Sequence, residues 1–273
     1  MDLASIVGLI GVLAILVVVL IMDGGSPAEL LAHPSAILLT LGGSLAATTI
    51  TTSLQTFLSL PKLLIHAFTS HKVDISDSIE MLVRMADKAR KEGLLALEEE
   101  SRNITDEFLQ KGLMMVVDGV DPSQVRTILE TTIEQMASRH RVGYSFFQTA
   151  GGFSPTFGII GTVMGLISVL KQLDDPNALA TSIAAAFLAT LWGLLSANMI
   201  YLPIGGKLKE KSREEVFVRY LQMEGILAIQ AGENPNIIRE KLYAYLPPKL
   251  TRQLSEAGAA QQSSASTQQE AGA

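Results

Sequence analysis

Charge is missing from four long stretches of this chain, and its absence constrains the fold more than any other feature. Leu3–Met22, Pro34–Pro61, Val142–Leu170 and Pro176–Gly206 contain no Asp, Glu, Lys or Arg. Each is roughly 20 residues or longer, enough for a helix to cross a hydrocarbon layer about 30 Å thick at about 1.5 Å per residue. They form two pairs, with a charged segment between the pairs and a charged tail after the second. The pattern predicts an all-α, polytopic membrane protein: four transmembrane helices in a two-plus-two arrangement, with a helical cytoplasmic domain.

The positive charges orient it. Of 21 Lys and Arg residues, eleven lie between Lys62 and Arg141 and nine from Lys207 to Arg252; only Lys171 sits between the third and fourth stretches. Positive residues near span ends favour the cytoplasmic side, and Lys62, Arg139, Arg141, Lys207, Lys209 and Lys211 are the ones that count. The loops carrying Asp23, Glu29, Asp174 and Asp175 then face outward, and both termini are cytoplasmic. The N-terminal run lacks the basic start of a signal peptide and is too long for one, so it reads as the first span. With no cysteine in the chain, disulfides and thiolate-bound metals are excluded.

The expected parts are spans one and two with a short outer loop (1–61), a cytoplasmic helical domain (62–141), spans three and four (142–206), C-terminal cytoplasmic helices (207–254) and a disordered tail (255–273). Span one is expected over Ser5–Met22 and span two over Ser35–Phe57. In the cytoplasmic segment Ser76-Asp77-Ser78 reads as a helix cap, Gly93 as an interruption, and Asp121-Pro122-Ser123 as the start of a helix running toward span three. Pro203 is expected to end span four, either as a kink that sets the angle to a helix continuing into the cytoplasm over Lys207–Gln230 or as a helix breaker. Another helix begins at Asn234-Pro235. From Ser255 the Gln, Ser, Ala and Gly tail has too little apolar content to fold.

Spans three and four carry the packing signals. Gly158, Gly161 and Gly165 on one, and Ala185, Ala189, Gly193 and Ala197 on the other, make stripes that let helix backbones approach closely in lipid. The stripes either pack the chain's own bundle or face another subunit or a pore. No span holds a carboxylate or histidine, the groups that relay protons inside membranes. Hydroxyls remain, among which Thr162 and Thr190 stand out beside the small-residue stripes. The alternative for each hydroxyl is a bond to the carbonyl one turn back. If ions pass, a titratable group must come from another chain. Pro155 predicts a kink or hinge in span three. No enzyme signature is present: the Gly205-Gly206-Lys207 run lacks the spacing of a phosphate-binding loop, and the four histidines are scattered. Neither a cofactor nor a nucleic-acid partner is expected.

Several segments resemble the flagellar motor stator A-subunits of the MotA, PomA and MotP types. They are Met85-Ala86-Asp87-Lys88-Ala89-Arg90-Lys91-Glu92-Gly93, Phe108-Leu109-Gln110-Lys111-Gly112-Leu113, Gly151-Gly152-Phe153-Ser154-Pro155-Thr156 through Gly165-Leu166, Ala189-Thr190-Leu191-Trp192-Gly193, and Glu224-Gly225-Ile226. The resemblance covers about Met1 to Pro248. It implies a ring of five A-subunits in the membrane lipid around two copies of a MotB-like B-subunit, whose single span supplies an essential Asp. It further implies that Arg90 and Glu98, with Lys91 and Glu99 beside them, meet the rotor protein FliG, and that Pro155 and Pro203 take part in coupling. The transported ion would be H+ or Na+. Thr162 resembles sodium-type members, while the surroundings of Ser154-Pro155-Thr156 and the Tyr245-Leu246-Pro247-Pro248 segment resemble proton-type relatives, toward which the reading leans. Two rivals remain: a proton-driven energiser of the ExbB or TolQ kind, which has three spans, and a non-conducting membrane scaffold.

Overall fold

A computed structural model of the chain describes residues 3–69, 75–171 and 173–246. The expected tail from Ser255, and Pro247-Pro248, lie outside them. In chain order the helices are α1 (Leu3–Met22), α2 (Pro27–Leu31), α3 (Pro34–Ile37), α4 (Gly43–Ile50), α5 (Leu54–Phe68), α6 (Ile75–Glu92), α7 (Glu98–Arg102), α8 (Glu107–Val117), α9 (Pro122–Leu170), α10 (Pro176–Leu195), α11 (Leu202–Gln230) and α12 (Pro235–Ala244). Two π-helical turns, Leu38–Gly42 and Ser196–Tyr201, join α3 to α4 and α10 to α11, and a 3₁₀ turn spans Leu94–Leu97. Two compact units result: Met1–His71 with Ala137–Arg213, and Lys72–Met136 with Glu214–Ala273. Both α9 and α11 supply residues to each unit.

In the first unit α1 leaves Val7, Ile10, Ile15 and Ile21 exposed, as expected of a helix that faces lipid. It closes at Asp23-Gly24, where φ of 79° suits glycine. Span two does not run to Phe57 as expected. It stops at Ile50, because the hydroxyls that follow compete for the backbone. Thr51 and Thr52 donate to the Thr48 carbonyl at 2.8 and 3.3 Å. Ser53 then caps a new helix, α5, by accepting the Thr56 N–H at 3.3 Å. At the far end of α5 the Lys211 ammonium donates to the carbonyls of His66 and Thr69, both at 2.5 Å, a cation placed where a helix C-terminus favours one.

Pro203 does not break the helix, so of its two readings the continuing one holds. The helical path continues through it, from Pro176 to Gln230. A proline cannot donate to the carbonyl four residues back and crowds it. The wider π turn Ser196–Tyr201 immediately before Pro203 relaxes that crowding. The two π turns also meet: buried Tyr201 donates to the Leu41 carbonyl at 3.1 Å and accepts from Ser44 at 3.2 Å. Both α9 and the Pro176–Gln230 path are long and apolar enough to cross a membrane, and only 17% of the most apolar window of each is buried within the chain. Ile6–Met22 and Pro34–Ile50 are shorter apolar helices.

The second unit has its own core. Leu82, Leu97, Leu113, Leu129, Leu221, Ile226 and Ile238 are fully enclosed in it. Gly112 and Gly225 make the close packing possible: a Cβ on Gly225 would lie 2.6 Å from Leu82, and one on Gly112 would collide with Ile226. α6 already includes Ser76 and Asp77, which sit in its first turn instead of capping it. Gly93 ends α6 as expected, at φ of 89°. α8, absent from the sequence expectations, starts where Asp106 accepts the N–H groups of Phe108 and Leu109 at 3.0 and 3.4 Å. Asn234 caps α12 in the same way.

Candidate functional site

The two small-residue stripes face each other along an antiparallel hairpin of α9 and α10. A Cβ on Gly158 would meet the Ala189 carbonyl at 3.0 Å and Gly193 Cα at 3.3 Å; on Gly161 it would meet Ala189 Cβ at 2.5 Å; on Gly165, Ala186 Cβ at 2.6 Å. The register thus corrects one expected residue. Ala186, not Ala185, is buried opposite Gly165. A strict four-residue step drifts off the face of a helix with 3.6 residues per turn, whereas Ala186, Ala189, Gly193 and Ala197 hold to it.

Two hydroxyl pairs lie within this hairpin, and burial separates their chemistry. Ser154 is fully buried and bridges the helices, donating to the Gly193 carbonyl at 3.0 Å beside the Ser196 hydroxyl. Ser196 itself donates back to the Trp192 carbonyl. These groups are spent on packing. Thr162 and Thr190 are also in direct hydroxyl contact, but both stay partly exposed. The Thr162 hydroxyl has two carbonyls within reach, Gly158 on its own helix and Ala186 across the hairpin, both at 3.1 Å. One proton cannot serve every acceptor, so four oxygens converge with capacity to spare. Such a cluster can hydrogen-bond water or a carboxylic acid, or lend oxygen to a cation. Most other hydroxyls bond one turn back, as Ser168 and Thr181 do.

Pro155 lies inside α9, which continues through it, one residue after Ser154. Trp192, a residue the sequence did not single out for a contact, donates its indole N–H to the Leu30 carbonyl at 2.8 Å. Gly42-Gly43-Ser44 in the middle of span two reads as a helix contact, and Ser44 does meet Tyr201 there; Tyr201 itself was not singled out.

The expected charges of the cytoplasmic segment cluster on one edge. Arg90 and Lys91 end α6, Gly93 turns the chain, and Glu98 and Glu99 begin α7; all four charged residues are exposed. Their partners differ. Lys91 pairs with Asp87 at 2.6 Å and Glu98 with Arg102 at 2.7 Å. Arg90 and Glu99 have no ion pair among the described residues. Nearby, Lys88 meets Glu100 at 3.2 Å. Among the described residues, no group of three or more His, Cys, Asp or Glu could hold a metal ion.

Long apolar helices stitched together by glycine, with hydroxyls but no acid over 142–170 and 176–206, define an all-α membrane protein. The model of the MotA/TolQ/ExbB proton channel family matches residues 100–220, and that of the motility protein A N-terminal region matches 6–93. The chain is 37% identical over 262 residues to motility protein A of Bacillus subtilis (strain 168), covering 96% of this chain and 97% of that protein. It is 39% identical over 246 residues to chemotaxis protein PomA of Vibrio alginolyticus, covering 90% and 96%. Among solved structures, C. jejuni MotAB superposes with a TM-score of 0.86 at 32% identity, covering 91% of this chain and 97% of that one. The flagellar MotAB stator complex of Bacillus subtilis gives 0.83 at 36%, covering 91% and 96%. The chain belongs to the MotA/TolQ/ExbB proton channel family, in its motility protein A branch. The match over 6–93 sets aside the rival reading as a three-span ExbB or TolQ kind of protein.

Proposed function

We propose that this chain is the A-type subunit of a bacterial flagellar stator. It works with a MotB-like single-span partner to couple ion flow across the cytoplasmic membrane to torque on the rotor. The observation that carries the reading is the partly exposed Thr162–Thr190 hydroxyl pair, set between two stretches, 142–170 and 176–206, that contain no carboxylate. Such stretches need a neighbour's acid, and the structural neighbours are MotAB complexes. Five copies around two B-chains is the assembly proposed, with both termini on the cytoplasmic side, as the Lys and Arg distribution favours.

An ion arriving from outside neutralises the partner's Asp. A neutral acid costs far less than a carboxylate to move along an apolar face. Thr162 and Thr190 offer it hydrogen bonds on the way, and Pro155 and Pro203 mark where the two helices take up the movement. Loss of the ion to the cytoplasm restores the charge and favours the next subunit's site. The ring advances, and Arg90, Lys91, Glu98 and Glu99 push the rotor protein FliG. Exposed ion pairs are worth only about 0–1 kcal/mol each, which suits contacts that form and break at every step.

Reconstitution in liposomes tests the reading. The chain with its B-type partner conducts protons, and conductance disappears when the partner's Asp is replaced by Asn. Conduction by the chain alone would overturn it, because the hairpin would then need no borrowed acid.

A further inference from the structure

The charged edge at residues 90–99 also carries a large apolar side chain that none of the described residues covers. Leu95 is 73% exposed. Its neighbours are not: Leu97 is fully buried and Leu94 packs against the same core. The local geometry forces this split. Gly93 turns the chain at φ of 89° and a 3₁₀ turn follows over Leu94–Leu97. Residues three apart eclipse in such a turn, so Leu94 and Leu97 point inward together and Leu95 is left facing water. Before it in the chain comes Arg90 and after it Glu99, the two charges of the edge without an ion pair among the described residues.

Resting on the stator reading above, we propose that Leu95 is the apolar contact of this edge with the rotor protein. It inserts into a pocket bordered by a carboxylate that meets Arg90 and a cation that meets Glu99. Ion pairs in water contribute little and are screened by salt. They set where each contact forms. Removing an apolar side chain from water adds attraction that is non-directional and not an ion-pair effect. Leu95 holds the contact while the charges align it.

The test expresses the full chain with its B-type partner in motile cells lacking their own A-subunit. Stall torque is read from beads on single motors, alongside the amount of chain in the membrane. Leu95→Ser and Leu95→Gln weaken the rotor contact by roughly tenfold, seen as lost torque at both low and high ionic strength. Leu95→Met keeps near-parental torque. Parental torque in both polar variants overturns the proposal, and so does a torque loss matched by an equal loss of chain from the membrane. The double variant Arg90→Glu/Glu98→Lys separates the two levels. If it is impaired while the Leu95 variants are normal, only Leu95's role falls. If it too drives motors normally, the stator reading falls at this edge.

Discussion

Asp106 shows how much one side chain can hold in the second unit. It caps α8 through the Phe108 and Leu109 N–H groups and takes the Arg219 guanidinium at 2.6 Å, with Gln222 donating at 3.1 Å. Arg219 also lies 5.3 Å from the centre of the Phe108 ring. Partial burial acts to raise the Asp106 pKa, but Arg219, Gln222 and the Leu109 N–H outweigh it and hold the carboxyl below its usual range. A group with a depressed native pKa stabilises the fold above its unfolded pKa, and that contribution is lost as pH falls through the native value. Asp106→Asn should therefore lower stability by about 1–3 kcal/mol near neutrality. The gap between parent and variant in thermal melts followed by circular dichroism should shrink as pH drops below about 4. A constant gap across that range would mean the charge is not what stabilises. The cap was locally readable from Asp106 ahead of an apolar run. The partner was not, because Arg219 lies 113 residues away in the chain.

At the scale of elements, the α9–α10 hairpin leaves no room for a methyl group at its tightest crossing. A Cβ on Gly193 would sit 2.9 Å from both Gly158 Cα and the Ser154 carbonyl. These are backbone atoms and cannot rotate aside. Gly193→Ala should cost about 1–3 kcal/mol as an overpacked contact and separate Thr162 from Thr190. Loss of swimming with the chain still present in the membrane is the expected readout. Gly152→Ala is the control, since a Cβ there meets nothing within 4 Å, and it should swim normally. Equal behaviour of the two variants would sink the packing account. The stripes themselves were legible in the sequence, as were the starts of α9 and α12 at an Asp-Pro and an Asn-Pro pair, because caps and small-residue spacing are local. Ala186 in place of Ala185 and the break at Thr51–Ser53 were not, and Pro203 left open whether the helix kinks or breaks. Each depends on a neighbouring helix or on the choice a hydroxyl makes between two carbonyls.

For the whole molecule, the ion is the property that motility can read directly. With the Thr162 and Thr190 oxygens able to accept a hydrogen bond from a protonated acid, cells that rely on this chain should swim in sodium-free buffer. Complete paralysis there, reversed by added sodium, would reassign the ion. What the sequence determined by itself was the solvent of each segment. Stretches without charge must leave water, and the paired gaps set a two-plus-two membrane protein whose missing acid points to a partner. Only the tertiary structure decided which hydroxyls are spent on packing and which stay available, where a π turn precedes the proline that a helix runs through, and which edge charges are already paired. These outcomes follow from distances between residues far apart in the chain, and composition and periodicity carry no record of them.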